Sequence, residues 1–168
     1  MKRDRLTDVA RIFFVGSVAS VLSTAAVSLG SRRRTGRAAA GINAASQWVY
    51  GESARRQCAA SWRYTPVAYL IHHASSVFWA GVFDSPPARS ILPGSGRRAA
   101  ATAAVAAVVD YGIVPRRMTP GFDSHLSLPA MAATYAAFGV GLWLGARAHR
   151  IVFNPGRRAD RDLAARGH

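Results

Sequence analysis

The chain alternates long stretches free of ionisable side chains with short, arginine-rich ones. Residues 12–30 (IFFVGSVASVLSTAAVSLG) carry no charge, and residues 65–83 carry none apart from His72 and His73. Residues 99–114 hold only Asp110, and residues 126–146 hold none. A hydrocarbon core about 30 Å thick takes roughly 20 helical residues at 1.5 Å rise. Soluble surface helices of that length show a polar face, and the first and fourth stretches offer only hydroxyls. The pattern predicts an all-α fold, an integral membrane bundle of four transmembrane helices over about 12–30, 65–83, 99–114 and 127–146. The chain then reads as one membrane domain, with a long loop over 31–64 and a basic tail over 147–168.

Local signals agree with these bounds. Thr7-Asp8, Thr65-Pro66 and Ser127 before Leu128-Pro129 read as helix starts. Pro115 closes the third span, and Asn154-Pro155-Gly156 reads as a turn after the fourth. Ala26-Val27-Ser28 resembles a signal-peptide cleavage site, but the apolar run before it is longer than a signal core, so a retained span is expected. In the long loop, Ile42, Ala45, Trp48 and Val49 recur at helical spacing. With Tyr50, Trp62 and Tyr64 nearby, they suggest a short interfacial helix or a loop with aromatic anchors.

Small residues recur every fourth position within the spans. Gly16, Ser20, Thr24 and Ser28 mark one face of the first span; Ala133, Ala137, Gly141 and Gly145 mark one face of the fourth. Such faces let helices approach closely in lipid, within one chain or between copies in a homo-oligomer. The same spacing gives Ala68, His72, Ser76 and Ala80 in the second span, and Thr102, Ala106 and Asp110 in the third. His72 lies roughly 9 Å and Asp110 roughly 6 Å below the same end of the bundle at 1.5 Å per residue. Asp110 is the carboxylate set well within a span, so an intramembrane polar pair of His72 and Asp110 is expected. The pair is either a satisfied structural contact or a proton or cation site.

Composition sets the remaining limits. Half of the 168 residues are hydrophobic, yet the net charge is +14, from 22 basic residues against 8 acidic ones. The basic residues cluster at span edges rather than along one face. Anionic lipid headgroups therefore fit as partners better than nucleic acid. With both termini inside, 13 basic residues fall on the inner side and nine on the outer. That favours cytoplasmic termini in a multi-pass protein of the bacterial inner membrane. The single cysteine, Cys58, excludes an internal disulfide and a cysteine-built zinc site. No phosphate-cradling glycine loop, nucleophile elbow or metalloprotease motif is present. No cofactor, no metal and no enzymatic activity are therefore expected.

Four stretches carry a family resemblance: residues 43–51 (NAASQWVYG), 72–79 (HHASSVFW), Asp110-Tyr111, and 115–123 (PRRMTPGFD). Together they resemble a family of small, uncharacterised bacterial inner-membrane proteins with four predicted transmembrane helices. The family pattern has His where this chain has Gln47, and Trp where it has Tyr50. The resemblance implies membrane location and no assigned activity. The functional expectation is a non-enzymatic structural or accessory membrane protein. The alternative is a small proton-coupled transporter or channel using Asp110 and His72.

Overall fold

The computed structural model describes residues 2–153, with side chains from residue 6 onward. All regular structure among the described residues is helical. Helix α1 spans Lys2–Thr35 and α5 spans Thr65–Asp84. Helix α7 spans Ser95–Val108 and continues into a π-helical turn, Val109–Ile113. Helix α8 spans Leu128–Phe153. Short helices fill the connections: α2 (Ala39–Ala44), α3 (Gln47–Tyr50), α4 (Glu52–Arg56) and α6 (Pro86–Ile91). Single 3-10 turns cover Arg116–Met118 and Phe122–Ser124.

Helix ends follow local chemistry. Gly36, at φ +73°, ends α1, and its N–H bonds the Arg32 carbonyl at 2.9 Å. Glycine enters that left-handed conformation without a Cβ clash. Pro86 and Pro87 bar α5 from continuing; the Ser85 hydroxyl accepts from the Ala88 N–H to start α6. Two expected starts shift. Thr7-Asp8 lies inside α1, which begins earlier, and Thr65 is the first residue of α5 after Tyr64. The expected turn Asn154-Pro155-Gly156 and most of the basic tail lie outside the described residues.

The four long helices form a ring in which α1 packs on α5 and α8, and α7 packs on α8 and α5. Val15 and Ala19 of α1 meet Ala80 and Phe83 of α5, Ala103 of α7, and Phe138 and Leu142 of α8 in one core. A second core under the long loop joins Val27, Ile42, Ala45, Ala68, Phe122 and Leu126.

The all-helical expectation holds, while length and composition alone mark two spans rather than four. Among the described residues two helices, Leu6–Thr35 and Leu128–Phe153, are long and apolar enough to cross a membrane. Helix α5 has the length, but His72, His73, Ser75 and Ser76 dilute its apolar character. Helix α7 is 14 residues, half of them alanine. The long loop folds into three short helices rather than one. The stripe Ile42, Ala45, Trp48, Val49 breaks between α2 and α3; Ile42 and Ala45 enter the core, while Trp48 and Val49 face outward.

Candidate functional site: a polar cavity under a loop cap

Close helix packing sets the site. A methyl group added to Gly141 would stand 2.5 Å from the Ala19 Cα, and one on Gly145 would stand 3.0 Å from the Val15 Cα. As α8 advances four residues, α1 retreats four, so the two helices run antiparallel. On the other side of α1, a methyl on Gly16 would stand 2.6 Å from the Val77 Cα of α5. Of the remaining stripe residues, Ser20 is buried, whereas Thr24, Ser28 and Ala137 are half-buried and Ala133 is exposed. Towards the Ala133 end the contact with α1 moves off the stripe, to Ala130, which lies 3.0 Å from a methyl built on Gly30.

Ala68, Ser76 and Ala80 of α5 are buried, and so are Thr102 and Ala106 of α7. His72 and Asp110, one helical step along these faces, are half-buried and line the same cavity of about 60 Å³. The two side chains take different partners. The His72 Nε2 lies 2.9 Å from the Ser23 Oγ. The Tyr135 O–H donates to the Asp110 Oδ2 at 2.7 Å. Asp110 sits in the π-helical turn, whose extra residue per turn resets its direction relative to α7. His73, the neighbouring imidazole, turns away and lies between the rings of Phe13 and Tyr69. His125 bonds the Arg55 carbonyl through Nε2 at 2.7 Å. The described residues hold no cluster of three or more His, Cys, Asp or Glu side chains placed for a metal.

A polar cap closes this end of the bundle. The Gln47 amide nitrogen donates to the Thr119 carbonyl and, at 3.1 Å, to its hydroxyl. The Trp48 indole N–H reaches the same carbonyl at 3.3 Å. Asn43 donates to the Gln57 and Ala59 carbonyls and accepts from the Thr65 hydroxyl. Arg55 donates to the Gln47 side-chain oxygen Oε1 at 3.3 Å and pairs with Asp123 at 3.0 Å. Two sequence stretches, 43–51 and 115–123, are thereby tied together. Arg34 adds a third tie, donating to the Leu126 carbonyl at 2.7 Å.

The opposite end carries a charge cluster that the span pattern did not reveal. The Asp84 carboxylate is buried and pairs with Arg11 through Oδ1 and with Arg89 through Oδ2, both at 2.9 Å. Arg98, also buried, stacks its guanidinium 4.8 Å from the Phe83 ring centre and donates to the Leu92 carbonyl. Tyr135 and Ser23, which hold Asp110 and His72, also escaped the sequence reading. A tyrosine hydroxyl in an apolar segment needs a partner, and that signal pointed to Tyr135. Ser23 gave no comparable signal, one residue off the four-residue stripe.

Compared with family models, curated proteins and solved structures, the chain matches none.

Proposed function

We propose that this chain is an integral membrane protein whose four long helices cross the bilayer together, serving as a non-enzymatic structural or accessory component of the bacterial inner membrane. One observation carries the reading. Large apolar side chains stand exposed on the outer flank of every long helix: Phe13 and Val21 on α1, Leu70 and Phe78 on α5, Val105 and Val108 on α7, Val140 and Leu144 on α8. A belt of this kind costs free energy in water and little in lipid. Helices α5 and α7 are the less apolar pair, but His72 of α5 and Asp110 in the turn after α7 line the shared cavity, where Ser23 and Tyr135 meet them. Bundle formation thus offsets the cost of placing them in the membrane. Arginines at both ends suit anionic headgroups, and the family resemblance supports the same location. Carbonate washing of membranes tests this: retention in the pellet supports the reading, and release into the supernatant removes it.

A second reading, proton-coupled passage through the bundle, is favoured by the shared cavity of His72 and Asp110. In liposomes with a pH-sensitive dye, flux lost in Asp110→Asn supports it. Equal flux in both proteins, or none in either, removes it.

A further inference from the structure

The cavity combines one carboxylate with an aromatic wall. Asp110 lines it beside Trp48, Trp79, Phe122, Tyr135 and Phe138. No arginine or lysine lines it. Among the described residues Asp110 has no ion-pair partner; its Oδ2 is held by the Tyr135 hydroxyl alone. A half-buried carboxylate on an apolar wall is stabilised by a cation, and the chain supplies none there.

We infer that this cavity is a binding site for a small organic ammonium ion, held by the Asp110 carboxylate and the surrounding aromatic rings. Ring faces attract cations through their quadrupoles, most strongly when water is excluded. The wall disfavours a bare metal ion, because hard cations need six or more oxygen ligands and this lining is mostly carbon. Size fixes the guest further. At 10–15 Å³ per water, about 60 Å³ holds roughly four to six waters, hence a guest of about that many heavy atoms. His72, the other ionisable group on the wall, has its Nε2 engaged by Ser23. Trp48 and Met118 line the cavity yet are 40% and 47% exposed, so they stand at its mouth. The inference does not depend on whether anything is transported, nor on the bilayer reading.

The test is isothermal titration of the purified full chain in detergent micelles with tetramethylammonium chloride. Sodium chloride serves as the ionic control and tert-butanol as an uncharged guest of similar size. Saturable binding of tetramethylammonium alone is expected. Asp110→Asn should weaken it at least tenfold, since the amide oxygen still accepts from Tyr135 but carries no charge. A folded Trp48→Leu, which removes the aromatic face at the cavity mouth, should weaken it several-fold. No saturable heat in the wild type, equal binding of tert-butanol, or unchanged affinity in Trp48→Leu or in a folded Asp110→Asn would overturn the assignment.

Discussion

Gly141 of α8 lies so close to Ala19 of α1 that a methyl group on it would stand 2.5 Å from the Ala19 Cα. Backbone, not a flexible side chain, fills that space, so the helices must part to admit even one carbon. Gly141→Ala should therefore destabilise the bundle by about 1–3 kcal/mol, the usual cost of overpacking. Gly96, within α7, has open space around its missing Cβ. Gly96→Ala should instead stabilise by about 0.5–1 kcal/mol. Denaturant unfolding of both variants in one detergent gives the comparison.

The four-residue spacing made the glycine contacts legible, because residues four apart share a helix face whatever the tertiary structure. It identified a face but not the neighbour. Gly16 meets α5, whereas Gly141 and Gly145 meet α1. His72 and Asp110 were legible as inward groups at matching depth. Their partners were not, because rotation of each helix about its axis decides whether His72 meets Asp110 or Ser23. Least legible was the cap, where Gln47 bonds a backbone carbonyl at residue 119. Such side-chain-to-backbone ties leave no periodic trace in the sequence. Asp84 is illegible for a different reason: as the last residue of α5 it stands just outside the charge-free stretch, and its partners Arg11 and Arg89 come from other helices.

Asp84 joins α1, α5 and α6 through its two arginines. Asp84→Ala would leave Arg11, which is only partly exposed, without its counter-ion. A loss of about 3 kcal/mol is expected, the low end for breaking a buried pair. Arg89→Ala should cost less than about 1 kcal/mol, because the Arg89 side chain is 45% exposed. Thermal unfolding of the two variants in one detergent separates the roles.

Gln47 holds the loop that follows α7 and its π-helical turn. Gln47→Ala would leave the buried Thr119 carbonyl with only the longer Trp48 indole contact, at a cost of about 1 kcal/mol. The effect should be local. Tryptic cleavage after Arg116 and Arg117 should accelerate in the variant while the helical circular dichroism signal holds.

Cys58 reports sidedness, since it is the sole thiol. With both termini cytoplasmic, a membrane-impermeant maleimide should label it in intact spheroplasts. Labelling only after lysis would invert the orientation, and labelling of about half would indicate dual topology.

The central claim is that α5 and α7 share the bilayer with the two more apolar helices. Spin labels at Phe78→Cys on α5 and Val105→Cys on α7, in a Cys58→Ser background, test it most directly. Both native side chains are exposed and point away from the core. In reconstituted vesicles, power-saturation measurements should show high collision with oxygen, which partitions into lipid, and low collision with a water-soluble nickel chelate. High nickel accessibility at both positions would place these helices in water and contradict the four-helix membrane bundle.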